Sequence, residues 1–115
     1  MDINTARIKL EQGCDLEEKG EYRQAFKLYL MAAKHGSVEA QVNLANLYDD
    51  GRGCRRNLQK AIYWYKKAIM LGSSEAAYNL GVHYLHLSNK RWAKYWLMRA
   101  SDLGDEDARI EMEGI

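Results

Sequence analysis

The chain has 115 residues, of which 47% are hydrophobic and 29% are charged, and its formal net charge is +1. These values are typical of one soluble globular domain and exclude an intrinsically disordered chain. No run approaches the roughly 18 apolar residues of a membrane-spanning helix, and residues 1–5 lack the basic and then apolar order of a secretory signal, so we expect a cytoplasmic protein.

The two cysteines, Cys14 and Cys54, have no CxxC spacing and offer neither a metal knuckle nor a disulfide framework. We expect both thiols to be reduced, because cytosolic thiols rarely pair. Proline is absent from the sequence, so nothing in it prevents long uninterrupted helices.

One phrase occurs three times, at residues 24–36, 60–72 and 92–104. Its first alanine and its closing glycine both recur at intervals of 36 and 32 residues. A fixed period in this range indicates stacked supersecondary units, each too small to bury its own apolar face. The repeat therefore predicts the fold and directs the search for function to a surface.

In chain order, the first unit is predicted to contain helices near 4–19 and 21–35, joined by a tight turn. The second unit opens at Ser37, a helix-capping serine, with Glu39 in the first turn, where the helix dipole favours a negative charge. A glycine turn at 49–53 ends this helix.

The second helix of the middle unit is predicted from about Leu58 to Leu71. The third unit repeats the arrangement from Ser74 to Gly104, with a shorter turn. The tail beyond it begins one more first helix of about two turns, whose charged composition suits a terminal cap.

The pattern A-x-x-x-L-G-x-x-Y, a glycine turn, then K-A-x-x-W-Y-x-K-A-x-x-x-G resembles the Sel-1-like repeat, a relative of the tetratricopeptide repeat. The middle unit matches nearly throughout, at Ala40, Leu44, Tyr48, Gly51, Gly53, Lys60, Ala61, Trp64, Tyr65, Lys67, Ala68 and Gly72. The third unit keeps Ala76, Leu80, Gly81, Tyr84, Ala93, Trp96, Ala100 and Gly104, and the divergent first unit keeps Gly13, Ala25, Tyr29, Ala32 and Gly36.

The resemblance implies an all-α fold, a short α-solenoid of antiparallel helix pairs. We expect a single domain at 1–115, with repeats at about 4–36, 37–72 and 73–104 and a cap at 105–115. The small residues of the pattern would let paired helices approach closely, and its aromatic residues would fill the space between the pairs.

No catalytic motif is present, and we predict a non-catalytic protein without a cofactor. His83 and His86 are three residues apart on a predicted helix, but no third ligand converges on them, so we predict no metal site. His83 should pack inside and His86 should face outward. The adjacent carboxylates at 17–18 and 49–50 point about 100° apart on their helices, which does not suit paired acid and base work.

The charges are segregated along the repeats. The turns and second helices, at 21–35, 52–71 and 89–103, hold 13 of the 17 Lys and Arg, whereas the other segments hold 14 of the 16 acids. One layer of the repeats is therefore predicted to be basic and the other acidic.

In families of this kind the first helices line a concave groove, and this resemblance supplies the candidate binding residues. They are Leu10, Cys14, Glu17, Glu18, Val42, Asn46, Asp49, Asp50, Tyr78, Val82, Leu85 and His86. An apolar centre with acidic margins is typical of a protein-binding patch that selects a basic partner.

The predicted function is therefore the binding of a basic protein partner, for example by a bacterial immunity protein that neutralises a cationic toxin. A regulatory adaptor that binds a peptide or protein is the alternative. A minor alternative is nucleic-acid binding through the basic second helices, and the chain is expected to be a monomer or a weak homo-oligomer without a membrane partner.

Reversing Asp49 and Asp50 to lysine is predicted to slow association with such a partner strongly at low salt, because complementary charge steers encounter. Stopped-flow association rates at two ionic strengths measure the effect. An association rate that ignores both substitutions contradicts the acidic groove at these positions.

Overall fold

The computed structural model describes residues 2–115, and Met1, which the predicted domain includes, lies outside the described residues. Within residues 2–115 there are seven α-helices and no strand. The helices are α1 Ile3–Glu18, α2 Tyr22–Lys34, α3 Val38–Asp50, α4 Leu58–Met70, α5 Ser74–His86, α6 Lys90–Asp102 and α7 Glu106–Glu113. The expected all-α fold is confirmed, with helix ends within about one or two residues of those predicted.

Polar caps fix where the first helix of each repeat begins. Ser37 Oγ accepts a hydrogen bond from the backbone N–H of Ala40 at 3.2 Å, and Ser73 Oγ accepts one from Ala76 at 3.0 Å. The cap of α5 is therefore Ser73, one residue before the start predicted at Ser74. Asp105 caps α7 in the same way, so these starts are encoded locally in each repeat.

The described chain divides into two compact units, one up to Trp64 and the other Tyr65–Ile115, and the division falls inside α4. The first unit contains α1, α2, α3 and the start of α4. The second unit contains the rest of α4 with α5, α6 and α7. A single domain over the whole chain stays a prediction.

Within each unit a glycine lets two helices approach closely. A Cβ added at Gly13 would lie 2.6 Å from Cε1 of Tyr29, and one added at Gly81 would lie 2.7 Å from Cγ of Leu97. Such distances are too short for carbon atoms, so each glycine makes room for a large residue of the next helix. Tyr29 and Leu97 are both fully buried as a result.

The repeated positions form the core, as predicted. The three repeated alanines Ala25, Ala61 and Ala93 are completely buried, and Trp64 and Trp96 are each only 8% exposed. Tyr65 is buried and Tyr84 is half-buried. The predictions for the two histidines are also confirmed, since His83 is buried and His86 is exposed.

Contacts to α2 hold α3 and its following loop in place in the first unit. Gln41 Nε2 donates to the carbonyl of Ala33 at 3.2 Å, and the rings of Phe26 and Tyr48 meet edge to face at 5.2 Å. Through Gln41 and Tyr48, these contacts fix both the first and the last turn of α3 relative to α2. Among the described helices, none is long and apolar enough to cross a membrane.

Candidate functional site

A surface pocket of about 450 Å³ lies among the three complete helices of the first unit. Its lining residues are Cys14, Glu17 and Glu18 from α1, Tyr22 and Tyr29 from α2, and Glu39 and Asn43 from α3. Asn43 Nδ2 lies 3.9 Å from the Cys14 sulfur and joins the α1 and α3 walls. We call this feature the acidic pocket, because three of its seven lining residues are glutamates and none is a base.

Tyr29 forms the floor of the acidic pocket, and a hydrogen bond from it anchors Glu17. Tyr29 Oη donates to Oε1 of Glu17 at 2.6 Å, and Tyr29 itself is completely buried beneath Gly13. Burial raises the pKa of the Tyr29 phenol well above its usual range, and the hydrogen bond to Glu17 and the neighbouring Cys14 add to this. Tyr29 is therefore a neutral donor at physiological pH that holds the Glu17 carboxylate in one orientation.

We predict that Tyr29→Phe lowers the free energy of unfolding by about 1 to 3 kcal/mol, because the half-buried Glu17 carboxylate loses its donor. The folded-state pKa of Tyr29 is raised, so the contribution of this phenol is complete below its unfolded pKa of about 10 and is lost as pH rises above that value. The gap in melting temperature between wild type and Tyr29→Phe should therefore narrow from pH 8 to pH 11. A difference in melting temperature that stays constant from pH 8 to pH 11 contradicts the assignment of Tyr29 as a neutral hydrogen-bond donor to Glu17.

The other carboxylates of the acidic pocket are accessible. Glu18 and Glu39 are both exposed, whereas Glu17 is half-buried. One cation lies at the rim, where Arg52 Nη1 donates to Tyr22 Oη at 3.0 Å. An anchored carboxylate with two exposed ones around a phenol floor is suited to hold a lysine or arginine side chain, with the charge-assisted hydrogen bonds that such cations make.

The candidate residues predicted in the first unit fall in different environments. Cys14, Glu17 and Glu18 come together in the acidic pocket. Val42 is 1% exposed and packs in the core, so it offers nothing to a partner. The remaining four lie outside the pocket lining: Leu10, Asn46 and Asp49 are half-buried and Asp50 is exposed.

Sequence reasoning missed four lining residues of the pocket, namely Tyr22, Tyr29, Glu39 and Asn43. Glu39 was interpreted only as a helix-dipole residue and Tyr29 only as core. Their contribution depends on the lateral packing of α2 and α3 beside α1, which the periodicity of a single helix does not report. The sequence signal that could have identified Glu39 is that it is an acid on the first helix of its repeat, as Glu17 and Glu18 are on theirs.

In the second unit, the predicted residues Tyr78, Val82 and Leu85 are half-buried and His86 is exposed on α5. Burial raises the pKa of the Tyr78 phenol, and the carboxylates of α7 raise it further, Glu111 most among them. The acidic side of α7 therefore faces Tyr78. Within residues 2–115 no three His, Cys, Asp or Glu side chains are grouped as a metal site.

Comparison with known families gives three consecutive matches to the model of the Sel1 repeat, at residues 17–37, 38–73 and 74–105. In a solved structure of a Sel1 repeat protein from Oxalobacter formigenes, the similarity covers 93% of this chain and 47% of that chain. The TM-score is 0.76 and the sequence identity is 28%. This similarity confirms the expected helical-repeat solenoid class.

Two similar proteins with described roles are regulators in yeasts. Chitin synthase regulatory factor 2 of Schizosaccharomyces pombe is 35% identical over 65 residues, which is 56% of this chain and 13% of that protein. Chitin synthase regulator SKT5 of Saccharomyces cerevisiae is 45% identical over 51 residues, which is 44% of this chain and 7% of that protein. The matched segments therefore span only a small part of these relatives.

Proposed function

The chain belongs to the Sel1 repeat family, whose repeats generally mediate protein–protein interaction, and we propose that it binds a basic protein partner through the acidic pocket. The observation that carries this proposal is the convergence of Glu17, Glu18 and Glu39 around the buried Tyr29. In this proposal the chain acts by occupying its partner, with no catalysis, cofactor or metal of its own.

The pocket supports recognition of a single basic side chain. Glu17 is already oriented by Tyr29, so a partner lysine or arginine meets one carboxylate that needs no further ordering. Glu18 and Glu39 are exposed and supply the field that steers a positively charged partner towards the site. Glu17 would fix the position of the partner's basic side chain, and Glu18 and Glu39 would speed the encounter of the partner with the pocket.

Two observations bear on how the chain would act on its partner and on where it would do so. Two of the similar proteins are by name regulators of chitin synthase, and this favours a regulatory adaptor that controls another protein by binding to it. An inhibitor of a cationic toxin, such as an immunity protein, is a second form of the same basic-partner binding. Cys14 and Cys54 are both free thiols, which suits the reducing cytoplasm as the site of the interaction.

Affinity capture with two matched variants tests the proposal. Glu39→Lys and Glu75→Lys change the charge equally, each at an exposed site in the first turn of a first helix, but only Glu39 lines the acidic pocket. A basic protein retained by wild type and by Glu75→Lys, but lost from Glu39→Lys, is the expected result. Equal retention by both variants, or an acidic partner held at this site, overturns the proposal.

A further inference from the structure

Helix α6 in the second unit carries large apolar side chains that its packing leaves about half exposed. Its buried residues are Ala93, Trp96, Leu97 and Ala100. Trp92, Tyr95 and Met98 are instead 44%, 45% and 49% exposed, and they follow each other at intervals of three residues. Residues spaced in this way lie along one side of a helix, so α6 presents a continuous apolar stripe to solvent.

The equivalent positions of α4 show that the repeat does not need these residues. Aligned on the buried alanines Ala61 and Ala93, position 92 of α6 corresponds to Lys60 of α4, and position 98 corresponds to Lys66. Both lysines are exposed. The third repeat therefore exposes a tryptophan and a methionine where the second repeat exposes lysines.

The rings of this stripe are partly ordered by one another. Trp92 and Tyr95 meet edge to face with their centroids 5.4 Å apart, and Trp92 also lies 6.4 Å from the ring of Tyr84 on α5. Ordered aromatic side chains lose little entropy when a partner covers them, which is one reason that Trp and Tyr are common binding hot spots.

Positive charge surrounds the stripe. The helix carries Lys90, Arg91, Lys94 and Arg99, all exposed, and Asp102 is its one acidic residue. Arginine beside exposed Trp, Tyr and Met is the composition found at the centres of protein interfaces. The surrounding charge selects an acidic partner, because a basic one would be repelled.

We propose that this stripe of α6, Trp92, Tyr95 and Met98 with Arg91 and Arg99, binds an acidic protein segment that also carries apolar side chains. The apolar side chains of the segment cover the Trp92 and Tyr95 rings, and its carboxylates pair with the guanidinium groups of Arg91 and Arg99. Met98 favours a protein over single-stranded nucleic acid, because a thioether fills apolar gaps and offers no ring on which a base can stack. This surface is in the second unit and has the opposite charge preference to the acidic pocket, so neither proposal depends on the other.

Peptide selection from a random displayed library, with the folded protein as target, tests this inference. We expect one class of selected peptides, separate from any basic peptides held by the acidic pocket, to combine Asp or Glu with Leu, Phe or Trp. Their synthetic copies, labelled with fluorescein, should lose at least tenfold in affinity for the double variant Trp92→Lys, Met98→Lys. That variant installs residues already present in α4 and should keep the wild-type helical circular dichroism, with only the small loss of stability expected from removing the ring contacts of Trp92.

A second variant separates charge from apolar contact. Arg91→Gln installs the residue that α4 carries at the equivalent position, Gln59, and should weaken the same peptides several-fold with a smaller loss at high salt. Lys27→Gln, which removes one exposed positive charge from α2 of the first unit, should leave their affinity unchanged. A selection that yields no such acidic class, or acidic peptides that bind the double variant as well as wild type, overturns the inference. So does an oligothymidylate that competes for the stripe more tightly than the peptides.

Discussion

Trp64→Ala is expected to lower the free energy of unfolding by about 3 to 5 kcal/mol, a loss typical of removing a large buried aromatic side chain. Trp64 is 8% exposed, and the equivalent residue of the third repeat, Trp96, is buried to the same extent. The same residue type at the same burial in two repeats indicates a packing position. Urea denaturation followed by circular dichroism measures the change.

The neighbouring Tyr63 provides the matched control. It is 55% exposed, and its ring meets that of Trp64 edge to face at 5.1 Å. Tyr63→Ala should therefore cost only about 0.5 to 1.5 kcal/mol, the range measured for such aromatic pairs. Equal losses for the two substitutions would contradict the assignment of Trp64 to the core and Tyr63 to the surface.

The double reversal Glu18→Lys, Glu39→Lys is expected to weaken binding of a basic partner at least about 100-fold at low salt, or roughly 2.7 kcal/mol. Both side chains are exposed and line the acidic pocket, so the substitutions turn attraction into repulsion without removing a core residue. Isothermal titration calorimetry with the captured partner measures the affinity. The loss should shrink as added salt screens the exposed charges.

Glu75→Lys is the matched control for the Glu39→Lys half of this reversal, because each of these single substitutions changes the charge by the same amount. Glu75 is exposed in the first turn of α5, as Glu39 is in the first turn of α3, so both substitutions disturb a helix dipole equally. Binding should change less than about threefold in Glu75→Lys. A loss of affinity as large as that of the double reversal would show that net charge, and no particular pocket, determines binding.

The fold could be predicted from the sequence because each repeat contains local signals for its own helices. Ser37 and Ser73 cap their helices, and the alanines at 25, 61 and 93 recur where the helices meet. These are short-range signals that do not depend on how the rest of the chain folds.

The site was predicted less completely, because a pocket is a property of several helices together. Glu17 and Glu18 were predicted from the resemblance, which places the first helix of each repeat in the binding groove, and both line the pocket. Glu39 joins them because α2 holds α3 beside α1. The periodicity of a single helix does not predict how helices are placed relative to one another. Val42 shows the converse: the resemblance to the Sel-1-like repeat places it in the groove, but packing of its own unit buries it.

The central claim, that the acidic pocket receives a basic side chain, is tested most directly by nuclear magnetic resonance. An isotope-labelled sample is titrated with a lysine- and arginine-rich peptide, and the backbone amide shifts are followed. The account predicts the largest changes around Cys14, Glu17, Glu39 and Asn43 and their loss in the double reversal. Changes that are largest at the carboxylates of α7 instead, or that persist in the double reversal, would contradict it.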